Sequence, residues 1–364
     1  MVTSALWSDF NNDNAIDLVI TGDLMPVTFL KNNNGKFDDV TNATGLEKNT
    51  GWWQSIASAD VDSDGDMDYI CGNFGTNKRF KSTVSVKDGT PLPLEGYLYD
   101  FDKSGTQDFI MGYYQNDVLY PVKSRERLIE QIPAIAKRIK TWDEFGKASL
   151  QDIFGSDLDK AIHKSVYNFR SSVLINDGGG KFSLKYLPGE VQISPMFGTV
   201  VDDFNEDGIP DILTHGNFYN TDMETTRYDA STGLLLLGKG NGEFTAVRSI
   251  NSGFWSRGDC KSLAVSLSPA KKPVYFCGGS NMAIGTYQLT SNKSTFITLM
   301  PADATAIVTM NNGKTQKMEF CAGSGYLSQC AKFVRITPQI KQVQVMDAKG
   351  NSRTIYSAAV TASR

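Results

Sequence analysis

A nine-residue acidic string recurs four times along this chain, and each copy runs straight into a short apolar strand. The copies are DFNNDNAID at 9–17, DVDSDGDMD at 60–68, DFDKSGTQD at 100–108 and DFNEDGIPD at 203–211, followed by LVITG, YICGN, FIMGY and ILTHG. A chain that repeats one local device repeats the structural unit around it. A second element recurs between the strings: FLKNNNGKF, VLINDGGGKF and LLLLGKGNGEF each read as strand, Gly/Asn turn, strand. A fifth, worn block without the string surrounds Gly258, Asp259 and the strand PVYFCGG.

Blocks of about 40 to 60 residues, made of short strands and glycine turns, predict an all-β chain of propeller blades rather than a sandwich. Five blades are visible. The text changes character over about 122–165, where RERLIEQIPAIAKRIKTWDEF places Leu128, Ile132, Ile135, Ile139 and Trp142 at helical spacing. A helical insertion is expected there, bent or broken at Pro133. Its Lys137, Arg138 and Lys140 read as a solvated face. From about Thr295, AIVTM, KMEFC, KFVRI and QVQVM alternate with NNG and AKG turns, so the domains are expected at 1–294 and 295–364, the second a small β domain.

Within each string, oxygen-bearing side chains fall at positions 1, 3, 5 and 9, and position 6 is Asn14, Gly65, Gly105 or Gly208. Alternate residues of a tight loop turn their oxygens to one centre, as a hard cation with six to eight oxygen ligands requires. Position 6 must bend sharply, which Gly does freely and Asn tolerates. The expected ligands are Asp9, Asn11, Asp13 and Asp17; Asp60, Asp62, Asp64 and Asp68; Asp100, Asp102, Ser104 and Asp108; and Asp203, Asn205, Asp207 and Asp211. Backbone carbonyls at position 7 (Ala15, Asp66, Thr106, Ile209) would add one each. These are not EF-hands, because position 12 is Ile20, Cys71, Met111 or Thr214 instead of Glu. So many carboxylates together repel unless a divalent ion neutralises them, which points to about four Ca²⁺ sites and a metal role in folding. Mg²⁺ fits less well, since it keeps its waters and demands octahedral geometry.

The formal net charge of −4 and a pI near 5.4 disfavour nucleic acid, whose phosphates call for clustered Lys and Arg. The longest apolar run, 234–237, falls far short of the roughly 20 residues of a bilayer span. Only His163 and His215 are present, and no CxxC pair occurs among the five cysteines, so common zinc chemistry is not expected. Met1 is followed by no basic or apolar leader region.

The loop pattern D-x-[DN]-x-[DSN]-[GN]-x-x-D before an apolar strand resembles the FG-GAP or VCBS repeat of integrin-like β-propellers. The order DFNNDNAIDLVITGDLMP, NTGWW, DVDSDGDMDYICGNFGTN is similar to bacterial VCBS proteins that end in an ASPIC/UnbV domain, related to cartilage acidic protein. The tail NNGKTQKMEFCAGSGYLSQ at 311–329 resembles that terminal domain. Ala331, Lys332 and Phe333 stand where the family has His-Phe-Gly, and Asp347-Ala348-Lys349-Gly350 where it has Trp-Pro-x-Gly. The resemblance covers nearly the whole chain. It implies a secreted, cell-surface or outer-membrane protein with a calcium-stabilised propeller used for recognition, without catalysis. Such propellers usually have about seven blades, which implies absent N-terminal blades and either an open ring or closure by a partner segment.

The expected function is therefore calcium-dependent binding of an extracellular protein or glycan. Trp52, Trp53, Tyr113, Tyr114, Phe254 and Trp255 near strand ends are candidates for contact or for packing between blades. The alternatives are a polysaccharide-acting enzyme or a purely structural assembly component. Against catalysis, Asp117, Glu190, Asp222, Glu224 and Asp229 show no paired spacing, GSGYLS lacks the nucleophile-elbow context, and His215 reads as a strand-end structural residue. Cys321 with Cys330, or Cys260 with Cys277, could form disulfides; buried thiols fit as well.

Overall fold

The computed structural model describes residues 1–290, 293–323 and 325–358. Short antiparallel strands dominate, and helices are brief. Four meanders form the body. The first orders Val2–Ser8, Asp17–Met25, Thr28–Asn33 and Lys36–Asp39. The second orders Gly51–Ala59, Asp68–Asn73, Ser172–Asn176 and Phe182–Tyr186. The third orders Gly198–Asp202, Asp211–His215, Leu234–Gly238 and Phe244–Val247, and the fourth holds three strands, Asp259–Leu267, Pro273–Ser280 and Gly285–Tyr287.

Successive side chains on a strand point to opposite faces, and the meanders use both. On the strand Asp68–Asn73, Tyr69 and Cys71 enter the core shared with the first meander, while Ile70 enters the core shared with the third. The third meander does the same, sending Ile212 and Leu236 one way and Leu213 and Leu235 the other. Each buried Leu, Ile or Phe contributes roughly 1.5–3 kcal/mol, so shared cores hold the row together, and the first two meanders also join into one eight-stranded sheet where Asp17–Met25 pairs with Gly51–Ala59. The fourth meander carries the disulfide Cys260–Cys277, and Cys321 forms none.

The third acidic string does not belong to a blade of its own in the row. It joins Leu94–Tyr99 to Asp108–Gln115 in a four-stranded sheet completed by Val118–Pro121 and Ile162–Val166. That sheet is inserted whole between the second and third strands of the second meander, because Ser172–Asn176 pairs with Asp68–Asn73 across the entire excursion. The expected five consecutive blades are thus four meanders plus an inserted sheet. The expected helices lie within the insertion, with Leu128, Ile132, Ile135 and Ile139 in a core shared with Phe101 and Ile110. The first helix, Arg125–Gln131, ends before Pro133, whose ring disfavours a helical residue ahead of it. Trp142 departs from the expected stripe and is 60% exposed.

The terminal domain is a β unit from Thr295. Its four-stranded sheet orders Thr315–Glu319, Asp303–Met310, Ile340–Asp347 and Ser352–Ser357, beside the pair Thr295–Thr298 and Phe333–Ile336. Residues 359–364 of that expected domain, and residue 324 within its GSGYLSQ element, lie outside the described residues. The segment between these sheets runs along the first strands of the meanders. A Cβ at Gly323 would come within 2.7 Å of the Ala5 carbonyl oxygen, so only glycine fits there. Further along, Ser328 donates to the Leu263 carbonyl (2.9 Å) and the Ala331 amide to that of Val265 (2.8 Å). This segment therefore spans from the first meander to the fourth.

Lys78 is buried at the root of the insertion with its Nζ over the Phe169 ring and no hydrogen-bond partner among the described residues. Burial pushes its pKa down to about 5. A lysine depressed in the fold binds fewer protons there than in the unfolded chain, so its contribution to stability falls as pH drops from about 10 toward 5. Replacing Lys78→Met is expected to raise the melting temperature at pH 7 by several degrees and to flatten its pH dependence over that window, as calorimetry would show.

Candidate functional site

Each acidic string is the loop between the first and second strands of its sheet, and all four adopt one conformation. The first Asp captures the amides of positions 5 and 6. Asp9 Oδ1 and Oδ2 accept from Asp13 (3.1 Å) and Asn14 (3.0 Å); Asp60 from Asp64 (3.2 Å) and Gly65 (3.1 Å). Asp100 accepts from Ser104 (2.9 Å) and Gly105 (3.0 Å), and Asp203 from Asp207 (3.1 Å) and Gly208 (2.9 Å). Position 5 then accepts the amide of position 7: Asp13 from Ala15, Asp64 from Asp66, Ser104 from Thr106 and Asp207 from Ile209. Position 6 has positive φ in every copy, at Asn14 (66°), Gly65 (96°), Gly105 (90°) and Gly208 (87°).

The last Asp ties the loop to the rest of its sheet. Asp17 accepts from the Asn32 amide, Asp68 from Asn176 and Asp211 from Gly238, each at 2.8 Å and each at the end of the third strand. In the insertion the Gln131 side chain takes that place, donating to Asp108 at 3.0 Å. Two features escaped the sequence reading. Position 4 is also left-handed, at Asn12 (56°), Ser63 (63°), Lys103 (61°) and Glu206 (60°), without any glycine to mark it. The third-strand partners Asn32 and Asn176 did leave a signal, the shared Asn of the recurring strand-turn element.

Carboxylate oxygens of Asp9, Asp13 and Asp17 lie within 4.8 Å of one another, as do those of Asp60, Asp62 and Asp68, and of Asp100, Asp102 and Asp108. These trios could hold a metal ion. Asp64 stays outside its trio, and among the described residues no such trio forms at Asp203, Asp207 and Asp211. There the Asn205 amide donates to Asp207 Oδ2 at 2.8 Å. Asn11 and Ser104 accept from or lie beside their own loop backbone, as their positions require.

The donor set fits a hard cation on two structural grounds. Asp17 Oδ2 and Asp62 Oδ1 are buried oxygens with no hydrogen-bond partner among the described residues, an arrangement that costs free energy unless a positive charge meets them. Burial also raises the carboxyl groups of Asp17, Asp60 and Asp203 to about 6, Asp211 to about 7 and Asp68 to about 8, neighbouring carboxylates adding to the shift.

The terminal domain rests on three of the four loops. The Lys317 amide donates to Asp60 Oδ2 (2.9 Å) and its Nζ to Asn12 Oδ1 (2.6 Å), while Gln316 Nε2 reaches Ser63 Oγ (3.1 Å) and the Gly208 carbonyl (3.0 Å). Glu319 accepts from Ser8 Oγ (2.5 Å) and pairs with Lys317 Nζ at 3.1 Å. Farther along, Arg335 grips Asp202 through two bonds of 2.7 and 2.6 Å.

Of the candidate contact aromatics, Trp53 and Phe254 are core residues, and Trp52 stacks on Phe74. Tyr113 and Trp255 are exposed, Tyr114 is half-buried, and Arg257 lies over the Trp255 ring. His215 ends its strand fully buried, with Nε2 against the Ser256 carbonyl at 2.9 Å, as a structural residue would.

Residues 9–71, the first two loops and the strands between them, match the family described as FG-GAP-like repeat. This segment is similar to an FG-GAP-like repeat. A search of curated proteins found no match. Among solved structures, the V. cholerae biofilm matrix protein Bap1 aligns at 12% identity and a TM-score of 0.23, covering 98% of this chain and 48% of that one. The exotype rhamnogalacturonan lyase YesX aligns at 10% identity and a TM-score of 0.20, covering 98% of this chain and 78% of that one. The chain thus spans about half the length of Bap1. Likeness at these scores carries neither fold nor function across. Among the described residues no helix is long and apolar enough to cross a membrane.

Truncating Glu319→Ala removes a buried acceptor from Ser8 and the counter-charge of Lys317, with an expected loss of about 1–3 kcal/mol of stability. Hydrogen exchange should quicken at the Asp9 and Lys317 amides and stay unchanged at Ser104 and Gly105 of the third loop, which the terminal domain does not touch.

Proposed function

We propose that this chain is a calcium-stapled recognition module of the extracellular space or cell surface, built on FG-GAP/VCBS-type propeller blades and binding a protein or glycan without catalysis. The observation that carries the reading is the shared backbone geometry of four acidic loops, three of which gather a carboxylate trio around one centre. Ca²⁺ supplies the charge that buried Asp17 and Asp62 oxygens call for, and its loose geometry tolerates Asn11, Ser104 or Asn205 among the ligands. The match of 9–71 to the FG-GAP-like repeat supports a module of the adhesion type. The disulfide Cys260–Cys277 suits an oxidising compartment. In this reading the terminal β unit is an ASPIC/UnbV-like domain, and exposed Trp255 and Tyr113 are the contact residues.

One cleft favours the enzymatic alternative. In the inserted sheet, His163 stacks on Tyr97 (4.7 Å) and bonds buried Glu95 (2.7 Å), beside Asp117 and Asp159. Acid and base groups at a cleft could act on polysaccharide; loss of a measured hydrolytic or lyase activity in Asp159→Asn would establish it.

Thermal unfolding tests the calcium reading. Millimolar Ca²⁺ is expected to raise the melting temperature well above that in chelator or in equal Mg²⁺, since a ligand at 100 times its Kd adds about 2.7 kcal/mol. Asp17→Asn and Asp68→Asn should each remove part of that increment. No Ca²⁺-selective shift would overturn the assignment.

The pH dependence has a definite sign. Carboxyls raised in the fold make the cation-free protein bind protons that the unfolded chain has lost, so its stability falls as pH rises from about 4 through 8. The cation must displace those protons. The Ca²⁺ increment is therefore expected to be larger at about pH 8 than at pH 6.

A further inference from the structure

Where the terminal domain meets the body, the ends of three first strands and the tail enclose a half-open cavity of about 210 Å³. It lies apart from the cleft of the insertion, and its walls are mainly apolar: Met67, Val201, Val265, Met310, Phe320 and Phe333. An apolar cavity of about 150 Å³ is already enough to hold a benzene-sized guest, so this one has room for a ring with a short substituent.

Three wall residues each carry an unsatisfied polar atom. Thr199 Oγ1, Thr337 Oγ1 and Arg335 Nη1 are buried and have no hydrogen-bond partner among the described residues. Arg335 itself is 6% exposed, and its other two nitrogens are committed to Asp202 and the Tyr275 hydroxyl. Native proteins rarely leave such groups unpaired, and a guest that accepts a hydrogen bond removes the penalty. Because Asp202 already balances the guanidinium charge, the matching group is a neutral acceptor such as a carbonyl rather than a second anion.

We propose that this cavity is a binding site for a small, mostly apolar molecule that carries a neutral carbonyl-type acceptor. The apolar body fills the space between the first strands and the tail. The acceptor meets the free Arg335 N–H or the Thr337 hydroxyl. Since the walls come from both the meanders and the terminal domain, the guest also bridges the two.

The test uses acetophenone, with ethylbenzene as the analogue of the same shape lacking the acceptor, titrated into the full chain by ligand-observed NMR. Acetophenone is expected to bind saturably and about tenfold tighter than ethylbenzene. Thr337→Val or Arg335→Lys should narrow that preference, and Ala59→Leu, which fills one wall, should weaken both probes about tenfold. Near-UV circular dichroism confirms that each variant is folded; should Ala59→Leu unfold, the comparison of the two probes on the unaltered protein and Thr337→Val decides. Saturable binding of neither probe, or equal affinity for both, would overturn the proposal, as would binding untouched in a folded Ala59→Leu protein.

Discussion

The capture of two backbone amides by one aspartate, repeated in four loops, is the interaction on which the rest of this structure depends. It holds position 6 in the left-handed conformation that Gly and Asn accept, and position 4 in one that Ser63, Lys103 and Glu206 would otherwise resist. The same loops deliver a second aspartate to the end of the third strand, so one turn sets the register of three strands at once. Once formed, the turn creates its own demand. The carboxylates that bind amides also crowd one another, and burial raises the cost of their charge.

The terminal domain makes a second use of that charge. Lys317 sets an ammonium against the first loop and gives its amide to the second, and Gln316 reaches the second and the fourth. Three loops are thereby drawn under one strand, while the third, in the inserted sheet, turns to Gln131 instead. A row of meanders packed face to face has an unfilled margin along its first strands. The segment through Gly323 and Ala331 occupies it, so body and tail share both hydrogen bonds and a cavity.

Much of the local structure was legible in the letters. The strings, their glycines and the strand after each are decided within about a dozen residues, and the structure bears out the loops and the mostly β fold. Cys260 and Cys277 were one of two open pairings, and they bond because strands on either side of one short turn bring them together. The inserted sheet was not legible. Its acidic string looks like a consecutive repeat until Ser172–Asn176 is seen to pair with Asp68–Asn73. The fourth loop reads like the second in sequence, yet Asn205 turns its amide onto Asp207 and no carboxylate trio closes there.

The sequence by itself determined the turns, the strand periodicity and the residues that gather negative charge, because each depends on neighbours in the chain. Tertiary structure alone decided that three of the loops lie under the terminal domain and that Trp53 and Phe254 are core while Trp255 is not. It also decided that Arg335 would stand in the wall of a cavity with Nη1 unpaired among the described residues. The reason is physical: these outcomes depend on which sheets stack on which, and pairings between distant segments leave only weak marks in any one stretch of sequence.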